Sequence, residues 1–159
     1  MLNCWVMTTR EYPDRPIVGV GAVIIHENRV LLAKRARPPL LGQWSLPGGV
    51  VELGETLREA TEREAREETG LIVEAKEVLE VLDRIIPGEK GRTQYHYVLV
   101  DFLCERVSGE LRAGGDAAEA AWSREEELEQ YNLEHAALRI IYKAFQTHHG
   151  GTEARRKDF

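Results

Sequence analysis

Cysteine is scarce in this chain, basic residues are outnumbered by acidic ones, and long apolar runs are missing. Only Cys4 and Cys104 occur. That is too few for a disulfide framework, and their separation is not a C-x-x-C metal spacing, so both read as reduced thiols of a cytoplasmic protein. Lys and Arg number 21 against 27 Asp and Glu, a net charge of −6. A nucleic-acid binder would carry a basic face instead. A nucleotide ligand stays open, because a metal ion can supply the missing positive charge. No apolar run approaches the ~18 residues of a membrane span. The start, MLNCWVMTTREYPDRP, lacks the basic and apolar regions of a signal peptide. Met7 is an alternative start that would remove Cys4 and Trp5. Repeats and low-complexity segments are absent too.

What remains is a chain of 159 residues, 43% hydrophobic, enough to bury the core of one domain. A leader of uncertain order is expected over 1–15, the domain over 16–147 and a flexible tail over 148–159. IVGVGAVIIHENRVLLAKRAR contains two β-rich runs, Ile17–His26 and Arg29–Arg35, joined by a polar turn, HEN. PPLLGQWSLPGG is punctuated as loop. Thr56 and Glu59 form a T-x-x-E capping box and Gly70 suits a left-handed stop, which predicts a helix over Leu57–Thr69. LIVEAKEVLEVLDRII reads as extended with a helical ambiguity, and PGEKGR as loop. TQYHYVLVDFLCERV is the strongest strand signal. A glycine-bearing loop leads to a short strand near residues 118–122, then REEELEQY as a helical turn. LEHAALRIIYKAFQ closes as an amphipathic helix, with Leu138, Ile141, Tyr142 and Phe145 at helical spacing. Strands and helices in this order predict an α/β or α+β sandwich.

Residues 48–71 carry seven carboxylates. Glu64, Glu67 and Glu68 lie at i, i+3 and i, i+4, so they crowd one face of the predicted helix. Like charges at that spacing repel, and Glu67 and Glu68 sit where the helix dipole favours cations. Arg58, Arg63 and Arg66 could hold a solvated acidic face neutral, but the helix has little apolar stripe beyond Leu57, Ala60 and Ala65. Local misfits of this kind mark functional sites. Clustered oxygens without thiol or imidazole suit a hard cation, Mg²⁺ or Mn²⁺. The Pro47-Gly48-Gly49 turn would let the backbone approach a ligand closely.

Residues 49–71 resemble the Nudix box, G-x5-E-x7-R-E-U-x-E-E-x-G-U with U apolar. Gly49, Glu55, Arg63, Glu64, Glu67, Glu68, Gly70 and Leu71 fall on its fixed positions, and Ala65 fills the first U. The resemblance implies a Nudix fold, a mixed β-sheet sandwiched between α-helices with the box as loop–helix–loop. It also implies metal-dependent hydrolysis of a nucleoside diphosphate linked to another group, with more than one ion. Carried over, Glu64, Glu67 and Glu68 are metal ligands, one of them acting as base, with the carbonyl of Gly48 or Gly49 completing the shell. Arg63 would orient the glutamates and Glu55 support the loop. Beyond the box, RPPLLGQWSLPGG and GELRAGGDAAEAAW are similar to the short ADP-ribose pyrophosphatase-like, MutT-type group. There the acidic GDAAE makes Glu119, with Asp116 as second choice, a further catalytic candidate.

Substrate specificity is expected from aromatic and basic residues: Arg35, Arg37, Trp44, Arg84 and Tyr95, together with His96 and Tyr97. Tyr95 and Tyr97 share one face of a strand, a pattern that also suits core. Arginines near a phosphate cleft act as clamps. ADP-ribose, cleaved to AMP and ribose 5-phosphate, is the first substrate; an ordinary or oxidised nucleoside triphosphate is the alternative. Small enzymes of this group are commonly homodimers. A nucleotide-sensing module without catalysis is the reading from another class, and metal-dependent turnover separates it from the enzyme.

Overall fold

The computed structural model describes residues 10–38 and 40–155; Cys4 and Met7 lie outside the described residues. Glu27 and Asn28, both at positive φ (49° and 56°), turn β1 (Ile17–His26) into β2 (Arg29–Arg35), with His26 opposite Arg29. Positive φ at both central positions is the geometry of a tight type I′ hairpin. The expected loop that follows contains two short strands, β3 (Trp44–Ser45) on β2 and β4 (Gly48–Val50) on β1. Sequence punctuation missed them because two or three residues show no periodicity.

The helix α1 is Leu57–Thr69, bounded by the expected capping box at Thr56 and by Gly70 at φ 74°. A Cβ on Gly70 would come within 2.6 Å of the Glu110 carbonyl, so crowding as well as dihedral selects glycine there. The helical ambiguity of the next segment resolves to strand, β5 (Leu71–Pro87). It pairs antiparallel with β6 (Thr93–Gly109), beyond a short 3₁₀ turn at Glu89–Gly91. The last strand is β7 (Ala117–Ser123), against β2. REEELEQY becomes a 3₁₀ turn, Glu125–Tyr131, before α2 (His135–Arg155). The expected tail therefore starts inside a helix, since extending a formed helix costs far less than nucleating one. Part of the expected leader is docked: Tyr12 N–H donates to Gln94 O (2.7 Å), and Arg92 lies 4.4 Å from the Tyr12 ring centroid.

Seven strands form one mixed sheet, ordered β3-β2-β1-β6-β5, with β1 and β6 parallel at its centre. Alternation along the strands divides the core between two faces. Val20, Ala22 and Ile24 join Leu31, Val100, Phe102 and Cys104 beneath α1, where Ala60 and Ala65 let the helix sit close. Val23, Ile25, Leu32 and Leu103 pack against Leu133, Ile140, Ile141 and Phe145 on the α2 face. Of the expected α2 stripe, Leu138 is partly buried and Tyr142 is exposed. Polar bonds lock α1 in place as well. Arg58 donates to the carbonyls of Ala75 and Lys76, and Glu62 Oε1 accepts from Ala75 N–H (3.0 Å), where β5 is irregular.

Leu31 has no solvent exposure beneath α1. Leu31→Ala should cost about 3–5 kcal/mol in denaturant unfolding, whereas Tyr142→Ala should cost less than about 1 kcal/mol.

Candidate active site

Arg63 organises the acidic face. Its Nε and Nη2 donate to the two oxygens of Glu55 (2.5 and 3.1 Å), and Nη2 also reaches Val50 O (3.1 Å). Nη1 donates to Glu64 Oε1 (2.8 Å) and Glu67 Oε2 (3.3 Å). Glu55 in turn accepts from Glu52 N–H (2.9 Å), which closes the loop before α1. The hydrogen bond from Arg63 holds Glu55 below the usual carboxylate range, and Glu55 is the main cause holding the guanidinium firmly protonated.

Glu68 has no such cation at hand. It is 6% exposed and accepts from Gly48 N–H (3.1 Å). Burial pushes its carboxyl up to about 7, opposed by the Gly48 bond and reinforced by Glu64 and Asp116, with Arg35 lowering it slightly. Burial also raises Glu64, despite Arg63. Glu64 lies against bare backbone: a Cβ on Gly49 would fall 2.4 Å from its carboxyl carbon. Among the described residues, no three acids converge on one point. Arg63 stands between Glu64 and Glu67, and Glu68 leans on Gly48.

The two glycines are not equivalent. Ala22 N–H donates to Pro47 O (2.8 Å) and Val51 N–H to Val18 O (3.0 Å). Between them, antiparallel alternation makes Val20–Gly49 the bonded pair and turns the Gly48 backbone groups away from β1. The Gly49 carbonyl is thus occupied in the ladder, and the Gly48 carbonyl is directed with its N–H toward the acids. Crowded, desolvated carboxylates, oxygen donors only and an outward backbone carbonyl fit a hard divalent cation.

Across the sheet on the α2 face lies a cleft of about 360 Å³. Arg35 and residues 48–50 line it, as do Trp44, Leu82, Arg84, Leu99, Asp101, Tyr95 and Tyr97. Among the described residues, Arg35 Nε is the one side-chain nitrogen or oxygen wholly sealed from solvent that has no hydrogen-bond partner. Trp44 meets Tyr131 edge-on at 5.0 Å, and Tyr95 stacks on Tyr97 at 6.3 Å. The tyrosines therefore line the cleft and are only partly buried. Arg84 is engaged by Glu134.

Two expected site residues stand elsewhere. Arg37, its side chain 72% exposed, pairs with Asp116 (3.2 Å) and does not line the cleft. Glu119, 58% exposed, pairs with Lys34 (2.9 Å) opposite it on β2. The acid from that loop whose charge reaches Glu64 and Glu68 is Asp116. The reason is the β-bulge between Lys34 and Arg35, where β7 slips register and leaves Asp116 off the strand. Sequence reading missed Arg10 and Asp101, which also line the cleft. Asp101 had a signal, a lone acid inside the apolar VLVDFLC.

Comparison with known proteins gives a concordant picture. The NUDIX domain model matches residues 15–145. The chain is 39% identical over 123 residues to an ADP-ribose pyrophosphatase of Methanocaldococcus jannaschii, covering 77% of this chain and 70% of that protein. It is 31% identical to the human 8-oxo-dGDP phosphatase NUDT18, over 81% of this chain and 38% of that protein. A crystal structure of a NUDIX hydrolase from Nitrosomonas europaea superimposes with a TM-score of 0.70 at 27% identity, covering 87% of this chain and 74% of that one.

The raised Glu68 has a measurable consequence in the metal-free protein. With a folded pKa of about 7 against an ordinary 4.5, the native state holds this proton longer than the unfolded chain. Its contribution to stability therefore falls as pH rises from about 4.5 to about 7 and is level above. Glu68→Gln keeps an acceptor for Gly48 and removes the ionisation. Thermal melts in a chelator should show the variant more stable than wild type at pH 8, with the gain vanishing toward pH 4.5.

Proposed function

This chain belongs to the Nudix family and is a pyrophosphohydrolase, and on that premise we propose that its substrate is ADP-ribose, cleaved to AMP and ribose 5-phosphate. One observation carries the choice: the cleft extends well beyond the box acids. From Asp101 to Tyr95 along β6 it runs about 20 Å, room for organic groups well beyond the pyrophosphate. The 39%-identical ADP-ribose pyrophosphatase supports the same reading.

In this proposal Glu64, Glu67, Glu68 and the Gly48 carbonyl hold the divalent cations, Mg²⁺ or Mn²⁺. Bound there, the ions supply charge neutralisation at the pyrophosphate and a lower pKa for the attacking water. The chain's own residues do the rest. Arg63 keeps Glu64 and Glu67 aimed until an ion competes for them. Arg35, which lines the cleft together with Gly48, offers its guanidinium to a phosphate oxygen. Water attacks phosphorus, the P–O–P link breaks, and a carboxylate within hydrogen-bond reach takes the proton. Asp116 is the nearby acid from the β6–β7 loop and replaces Glu119 in that supporting role. Trp44 and the Tyr95–Tyr97 stack give flat surfaces to the organic groups.

The human 8-oxo-dGDP phosphatase among the relatives favours one second reading, an oxidised guanine nucleotide as substrate. Incubation with Mg²⁺ and ADP-ribose, 8-oxo-dGDP and ordinary and oxidised triphosphates separates the two by product chromatography. Release of AMP and ribose 5-phosphate is expected, and a higher kcat/KM for an oxidised nucleotide would overturn ADP-ribose. Glu68→Gln should lower kcat by about 10²–10³-fold. Arg35→Ala should raise KM about tenfold or more, while Arg37→Ala leaves it near the wild-type value.

A further inference from the structure

We propose that Asp101 reads the nucleobase, accepting a hydrogen bond from a donor on the base's pairing edge. The proposal rests on the preceding reading that the cleft holds a nucleotide. Asp101 sits midway along β6, 7% exposed, and lines the cleft. Gly21 lies opposite it on β1, and a Cβ there would fall 2.0 Å from Asp101 Oδ1. The missing side chain is what leaves room for the carboxyl.

That carboxyl has no hydrogen bond or ion pair to any described residue, and its charged neighbour is another acid, Glu80. Burial raises its pKa to about 6. Leu99 and Leu103, on the same face of the same strand, show what packing alone would place here. A buried, unpartnered acid costs stability, and in a cleft such a residue marks ligand contact.

Three alternatives fit less well. A phosphate would be repelled. The proposed metal ligands are not adjacent: Gly48 pairs with Gly21 and Gly21 with Asp101, two strand spacings or about 10 Å. A sugar would strand hydroxyls against Leu82, Leu99 and Ile140, which line this part of the cleft. A flat base instead offers its faces to those side chains and one polar edge to Asp101. With phosphate at Gly48, that edge lies about one nucleoside away.

Calorimetric titration of the full chain in Mg²⁺ tests this without turnover, since neither probe contains a pyrophosphate to cleave. The probes are AMP and purine riboside 5′-monophosphate, which lacks the amino donor. Wild type should bind AMP about tenfold or more tightly than the analogue. Asp101→Leu should bind both alike and melt no lower than wild type. Asp101→Asn, which keeps an acceptor oxygen, should retain most of the preference. Equal affinities in wild type, undiminished preference in Asp101→Leu, or no binding of either nucleotide would overturn the proposal. GMP bound more tightly than AMP, with the excess lost in Asp101→Leu, keeps Asp101 as the reader and removes ADP-ribose as the substrate. Selective AMP binding without turnover of ADP-ribose would likewise sink that substrate alone.

Discussion

The guanidinium of Arg63 ties together three pieces of chain at one point. Glu55 comes from the loop, Glu64 and Glu67 from the helix, and the Val50 carbonyl from the end of β4. A planar fork of five donors can serve them all at fixed angles, which an ammonium could not. Two of these acids would otherwise repel across one helical turn. Loop, helix and strand thus meet at one side chain, with the Gly48–Glu68 bond and the Thr56–Glu59 cap as further ties between them.

What Arg63 does not neutralise is left on purpose-shaped ground. Glu68 and Asp101 are both buried with raised pKa values, and each lies beside a glycine, Gly48 and Gly21. Gly49 similarly lies under Glu64. The β1–β4 pairing brings Gly19, Gly21, Gly48 and Gly49 together into a bare patch of sheet. Side chains there would collide with the carboxylates, with Leu99 or with backbone, so the patch gives acids and ligand access to the same few ångströms. The molecule carries this excess of buried negative charge at a cost in stability, the usual trade at a functional site.

The sheet explains how one ligand can meet both sets of groups. The acids of α1 approach from one face and the cleft lies on the other, and β4 is the narrow boundary between them. Two apolar clusters hold the faces, with α1 and α2 as outer layers. Gly48 belongs to both sides: its N–H contacts Glu68, and the residue itself lines the cleft. A reacting phosphate at that point would be within reach of the helix acids and of Arg35 together.

Much of this was legible in residue order alone, for identifiable reasons. The Thr56–Glu59 box, Gly70 and the i, i+3, i+4 acids are short-range features, governed by local dihedrals and helix spacing, so α1 and its charged face follow directly from sequence. The β1–β2 hairpin and β6 are similarly local, set by a turn and by β-branched and aromatic density. Long-range register was not encoded that way. The choice of Gly48 over Gly49 came from which residues of β4 bond to β1. The placing of Asp116 rather than Glu119 beside the acids came from a bulge in β2–β7. Tyr95 lines the cleft as the sequence suggested, whereas Arg37, past the end of β2, pairs with Asp116 and does not line it. Asp101 came to line the cleft only when the parallel β1–β6 pairing set it over Gly21. Sequence determined which chemistry the chain carries, because helix and turn contacts are local. Tertiary structure decided which of those groups share one cavity, because pairing between distant strands is settled by the packing of the whole sheet.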